Sequence, residues 1–167
     1  FAPEFPTDVR ELLFRTLEWF RFAHTESTAV SWLHKVVMMA TAFEILLKFP
    51  EYGKTGHFVK EVDSLMRLED SYLVSRKDGK GNEIKVCMAA EWAAQFYDLR
   101  SRIVHGDPVT AKDLRYKDWV THLIVADVVM LELVKRLLYA HGCLGDGLRK
   151  CVTKLAQICS DPEKLEA

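Results

Sequence analysis

Along most of the chain, apolar residues recur at three- and four-residue steps, the spacing that gathers them on one face of an α-helix. Leu12, Leu13, Thr16, Trp19, Phe20 and Ala23 form such a face, with Arg10, Arg15, Glu18 and Arg21 outside it. They predict a first helix running to about His24 behind an N-cap at Thr7. A second helix is expected from near Ser27 to about Lys48, stopping ahead of Pro50. It is apolar nearly all round, through Val30, Trp32, Val36, Met39, Phe43 and Leu46, and so reads as the central element of the core. Ser31, His34 and Lys35 mark a narrow exposed strip, whereas Glu44 falls on the opposite side with Leu33, Val37 and Thr41. A buried carboxylate without a partner is too costly to keep ionised, which leaves two readings. Glu44 either reaches water at the helix end or pairs with a cation, for which Arg100 is the candidate.

Residues Tyr52 to Gly56 are expected as a loop, and Phe58, Val62, Leu65 and Met66 pattern a short third helix to about Leu68. Two alternating runs, Tyr72-Leu73-Val74 and Ile84-Lys85-Val86, flank Asp78-Gly79 and predict a small hairpin or a projecting loop, a hairpin needing to lean on the helices. Its Gly-rich turn lacks the Gly-Lys-Ser/Thr pattern that opens a helix in a phosphate loop. Trp92, Phe96, Leu99 and Ile103 then pattern a helix from about Met88 to Val104, with Gly106 and Asp107-Pro108 closing it. Thr110 and Asp113 have the spacing of a capping box for a long helix over 111–141, whose stripe is Trp119, Leu123, Ala126, Met130, Leu133 and Leu137. His122 lies beside that stripe, and a last helix is expected over 146–159. The fold class that results is all-α, a bundle of five or six helices with one small β-hairpin insertion.

Composition narrows the function classes. At 167 residues and 49% hydrophobic the chain is one domain with a sizeable core. Lysine and arginine total 23 against 24 acidic residues, so the chain is not generally basic and any nucleic-acid contact must be local. The run Arg100, Arg102, Lys112, Arg115 and Lys117 is one candidate, diluted by Asp107, Asp113 and Asp118. Cys87, Cys143, Cys151 and Cys159 lack zinc-ligand spacing and read as reduced apolar residues, so no metal or cofactor is expected. No apolar run is long enough to span a membrane and no leader is evident, which makes the cytoplasm the default. The abrupt start at Phe1 reads as that of a fragment of something longer.

The candidate chemistry lies in Tyr97-Asp98-Leu99-Arg100-Ser101-Arg102-Ile103-Val104-His105-Gly106. Five residues of ideal helix turn through about 500°, which leaves Arg100 and His105 roughly 140° apart. Two geometries bring such a pair together: the helix unwinds at Val104–Gly106, or a second protomer sets its own pair against this one. The plainer reading is that Arg100 lies along the apolar stripe and His105 meets the last-turn carbonyls. Asp98 and Arg102, at i and i+4, are expected to pair with each other, with phosphate or imidazole positioning as the alternative.

The phrase Leu99-Arg100-Ser101-Arg102-Ile103-Val104-His105-Gly106 resembles the Arg-x4–6-His motif of the HEPN superfamily of helical domains, in particular its Apea-like branch. Ser101 stands where active members commonly carry Asn, Asp or His. Ala42-Phe43-Glu44-Ile45-Leu46-Leu47 is similar to the Apea-like helix that carries a glutamate ahead of the motif. The resemblance covers about residues 8–140 and implies a metal-independent ribonuclease acting as a dimer. Arg100 and His105 are then the catalytic pair, with Glu44 orienting and Asp98, Ser101 and Arg102 supporting. It equally admits a non-catalytic module that dimerises, or binds a nucleotide or protein, within a larger defence or signalling protein.

Overall fold

The computed structural model describes residues 6–27, 29–68, 72–117 and 119–141. Among these, helices dominate, in the order α1 (Thr7–Ala23), α2 (Trp32–Leu46), α3 (Lys54–Met66), α4 (Met88–His105) and α5 (His122–Ala140). Two antiparallel ribbons interrupt them. β1 (Leu73–Lys77) pairs with β2 (Glu83–Cys87) between α3 and α4, and β3 (Arg115–Lys117) pairs with β4 (Val120–Thr121) between α4 and α5. The expected helix over 146–159, with Cys143, Cys151 and Cys159, lies outside the described residues; Cys87 is a buried free thiol.

The apolar circumference of α2 is used on three sides, against α1, α4 and α5. Val36, Met39, Ala40, Ala42, Phe43 and Leu46 are buried. Phe43 is the hub of an aromatic cluster, 4.9 Å from the Phe58 ring of α3 and 5.9 and 6.0 Å from Trp92 and Phe96 of α4. Trp92 and Phe96 stack at 5.0 Å, one helical turn apart on α4. All four rings are fully buried, and each well-placed aromatic pair adds about 0.5–1.5 kcal/mol beyond its area. This cluster joins α2, α3 and α4, the helices that carry the candidate site.

Several boundaries differ from the sequence reading, each for a local reason. Pro6, not Thr7, is the N-cap of α1; its carbonyl accepts from the Arg10 N–H and Thr7 is already helical. The second helix starts at Trp32 rather than near Ser27, because Ser31 and His34 form a reciprocal capping box that fixes the start there. Residues Lys54 to Gly56 belong to α3 rather than to a loop, since Gly53 takes φ +70° and turns the chain directly into the helix. The largest difference lies ahead of α5. Thr110 and Asp113 do bond, but they close a turn, and Arg115-Tyr116-Lys117 then alternates polar and apolar as a bulged strand. The long helix therefore begins at His122 behind a Thr121 cap, and Trp119 is 70% exposed instead of lying on its stripe.

His122 is more deeply placed than the edge of the core. It is 4% exposed, lies near the Phe96 and Tyr116 rings, and its Nδ1 has no partner. Burial pushes its pKa down to about 4. The folded value then lies below the roughly 6.5 of an unfolded histidine, so the unfolded chain takes up its proton first as pH falls. The stability at stake is fully present above about pH 6.5 and is lost progressively down to about pH 4, on the order of 3 kcal/mol. Urea denaturation at stepped pH should show this loss, and His122→Phe should flatten it; an unchanged profile in the variant would place the titration elsewhere.

Candidate active site around Glu44, Arg100 and His105

The site is built on one carboxylate. Glu44 follows Phe43 on α2, and where Phe43 enters the aromatic cluster, Glu44 turns into the seam between α3 and α4. Its Oε1 accepts from the Tyr97 hydroxyl at 2.8 Å and lies 3.0 Å from Arg100 Nη2. Its Oε2 accepts from Lys54 Nζ at 2.8 Å. Of the two open readings of Glu44, the structure gives the paired one: its side chain is 17% exposed and that of Arg100 is 22% exposed. Two cations share one anion, so the cluster keeps one net positive charge at a partly open seam.

Tyr97 and Lys54 escaped the sequence reading. Tyr97 had a signal, because it stands three residues before Arg100 and so shares its side of the helix. The Arg100 guanidinium lies 5.4 Å from the Tyr97 ring centroid, and burial, then the Glu44 carboxylate, raise the phenol pKa well above its ordinary value. Lys54 gave no signal, since only the αL turn at Gly53 and the α2–α3 packing bring it back to Glu44. Arg100 Nε is buried without a partner, so the Glu44 contact leaves part of the guanidinium fork unused.

His105 ends α4 and is exposed. Gly106 follows at φ +79°, donating to Ile103 O at 3.2 Å, while the Asp107 N–H donates to Arg102 O at 2.9 Å. These two bonds form a Schellman end, so the helix holds its turn through His105 instead of unwinding at Val104. His105 therefore stays on the far side of α4 from Arg100. Its face is that of Asp98, seven residues earlier and only about 20° away round the helix.

The remaining residues divide between that face and the loop. Asp98 is exposed and does not pair with Arg102, contrary to the i, i+4 expectation. Arg102 turns instead to the following loop, donating to Asp113 Oδ1 and Pro108 O, each at 2.8 Å. The loop curls back after Pro108 and offers both a carboxylate and a carbonyl to the planar fork, which Asp98 alone cannot match. Thr110 and Arg102 together hold the Asp113 carboxyl well below the usual carboxylate range. Ser101 is half-buried between the Arg100 and Arg102 rows. Glu91, Gln95, Asp98 and Arg102 line a cavity of about 490 Å³ that also touches Thr55, Arg76 and His122.

Among the described residues, no group of three or more His, Cys, Asp or Glu is placed to hold a metal ion, and no helix is long and apolar enough to cross a membrane. Comparison of the chain with family models, with curated proteins and with solved structures returns no match.

The Glu44 cluster has a thermodynamic signature. Glu44→Ala leaves two cations facing each other and should destabilise the fold by roughly 2–3 kcal/mol, less than for a fully buried pair because Arg100 and Lys54 retain some solvent. Lys54→Ala removes only the more exposed arm and should cost about 1 kcal/mol or less. Chemical denaturation of both variants checks the ranking, and equal small shifts would mean that Glu44 is solvated.

Proposed function

We propose that this chain is a HEPN-like endoribonuclease domain that acts as a homodimer and uses no metal ion in the cleavage step. The observation that supports it is the arginine of the Arg-x4-His phrase, held half-buried by Glu44 in a cluster that still carries net positive charge. A fixed, permanently charged planar donor suits the negative charge that develops on a phosphate under attack. An exposed imidazole suits the proton transfers.

The step follows from those two groups. His105 takes the proton of a ribose 2′-hydroxyl, and the 2′-oxygen attacks the adjacent phosphorus. The bond to the 5′-oxygen breaks, that oxygen takes a proton from water, the His105 imidazolium returns its proton to the solvent, and the products are a 2′,3′-cyclic phosphate and a free 5′-hydroxyl. Arg100 binds the non-bridging oxygens throughout. Because His105 and Arg100 lie on opposite sides of a helix that does not unwind, one protomer cannot supply both to one phosphate. A two-fold arrangement supplies Arg100 from one protomer and His105 from its partner. The same surface without chemistry, a dimerising or ligand-binding module, is the alternative.

Single-stranded RNA incubated with the protein in excess chelator should be cut, and DNA of the same sequence, lacking the 2′-hydroxyl, should survive. His105→Ala and Arg100→Lys should each be nearly inactive. Mixing these two inactive variants should restore about a quarter of wild-type activity, because half of the dimers are mixed and each mixed dimer has one intact composite site. Failure of the mixture to recover would rule out the shared site. Equal trace cleavage by wild type and His105→Ala would make the non-catalytic module the better reading.

A further inference from the structure

A second cleft, of about 730 Å³, lies between the first turns of α3 and the β1–β2 ribbon. Five cations line it, Lys54, Lys60, Arg76, Lys77 and Lys85, against two carboxylates, Asp63 and Asp78. Both carboxylates are engaged within the protein. Asp63 holds Arg67 and accepts from the Cys87 N–H at 2.7 Å. Asp78 accepts from the N–H groups of Lys80 and Asn82 at 2.8 Å, bonds that close the ribbon turn. On the cationic side, Lys54 and Arg76 face Glu44 and Glu91. Lys60, Lys77 and Lys85 are exposed and none is within salt-bridge distance of a carboxylate among the described residues, although Glu83 stands directly opposite Lys77 in the ribbon. A protein with a formal charge of −1 thus gathers a local positive excess around one cleft, from α3 on one side and the ribbon on the other.

Two further features give that excess a direction. Gly53, Lys54, Thr55 and Gly56 all border the cleft, and α3 starts there with no capping side chain, so its free N–H groups and positive dipole end add to the field. Thr55 and Arg76 border both this cleft and the 490 Å³ cavity along the Asp98–Arg102 face of α4. The two are therefore contiguous, and the row of α4 residues along the second leads on toward His105. No aromatic ring lines the cationic cleft, which leaves nothing for a base to stack on.

We propose that this cleft holds the backbone phosphates of a single RNA strand beside the cleaved position, the strand passing Thr55 and Arg76 on its way to His105. The inference rests on the reading above that the chain acts on RNA. It assigns Lys60, Lys77 and Lys85 to phosphate contacts without base preference, away from the Arg–His site.

The test uses the whole chain with His105→Ala, so that the strand stays intact, and follows binding of a labelled single-stranded RNA of about 20 nucleotides by fluorescence anisotropy across a salt series. Replacing Lys60, Lys77 and Lys85 together by Gln should weaken binding at least about tenfold near 50 mM salt and make the log–log salt slope shallower by about 2. Replacing Arg10, Arg15 and Arg21 of α1 by Gln removes the same charge elsewhere and should leave the slope unchanged. Single-stranded DNA of equal length should show the same lysine dependence, because the phosphates are read and not the 2′-hydroxyl. An unchanged slope in the cleft variant, or an equal change in the α1 variant, overturns the inference. So does lysine-dependent binding of inorganic phosphate with no binding of RNA, which would make the cleft a small-anion site. Cleavage by wild type is scored separately: cutting with an unaltered slope sinks the cleft alone, and an altered slope without cutting sinks the ribonuclease reading alone.

Discussion

One carboxylate on a largely apolar helix organises the centre of this molecule. Glu44 has a fully buried phenylalanine before it, and its oxygens reach Lys54 of α3 and Tyr97 and Arg100 of α4. The aromatic cluster around Phe43 packs α2, α3 and α4 together, but cohesion from burial is non-directional. The Glu44 contacts supply what packing does not, a fixed orientation for a long, flexible arginine. Ordering an arginine side chain costs up to about 2 kcal/mol of rotamer freedom, and here that cost is met by the fold before any ligand arrives. The Tyr97 hydroxyl strengthens the arrangement, since burial and the neighbouring carboxylate keep it protonated and donating.

That pairing was legible in the chain because a charge among apolar neighbours demands a partner, for which Arg100 was the candidate. The apolar girth of α2 and the Asp78-Gly79 hairpin were legible for similar reasons. What stayed hidden involved competition between groups that are equally plausible locally. Ser27 and Ser31 both suit an N-cap, and only the reciprocal bond with His34 decides for Ser31. Asp98 and Asp113 both suit Arg102, and the loop wins because it offers two acceptors to a planar fork. Thr110 and Asp113 do make the bonds of a cap, yet the strand character of Arg115 to Lys117 stops a helix from following. Lys54 depended on a left-handed glycine, whose effect on chain direction has no periodic signature.

The faces of α4 carry the largest consequence. Glu91, Gln95, Asp98, Arg102 and His105 form one polar row, while Tyr97 and Arg100 form another that turns into the protein. Gly106 makes the division firm, because its left-handed turn satisfies the last carbonyls and leaves no incentive for the helix to fray at His105. On the ribonuclease reading, a rigid helix end is what makes the second protomer necessary. Flexibility could otherwise bring the pair together within one chain, at the expense of the geometry that in-line attack requires.

A near-neutral protein that acts on a polyanion must concentrate its positive charge, since at physiological ionic strength exposed charges are screened beyond about 8 Å. The arrangement of α3 does this economically. Its first residue, Lys54, faces Glu44 and the arginine beyond it, and its second and third residues border the lysine-lined cleft. The same helix start therefore links the cluster that orients Arg100 to the surface proposed to hold the flanking phosphates. A strand bound there is positioned by contacts made away from the bond to be broken, and that remote binding energy is available to offset the entropy of aligning the 2′-hydroxyl with its phosphate. On the ribonuclease reading, Ser101, which lines neither cleft, has no need to touch the strand, and the proposed phosphate contacts fall to the lysines of α3 and the ribbon.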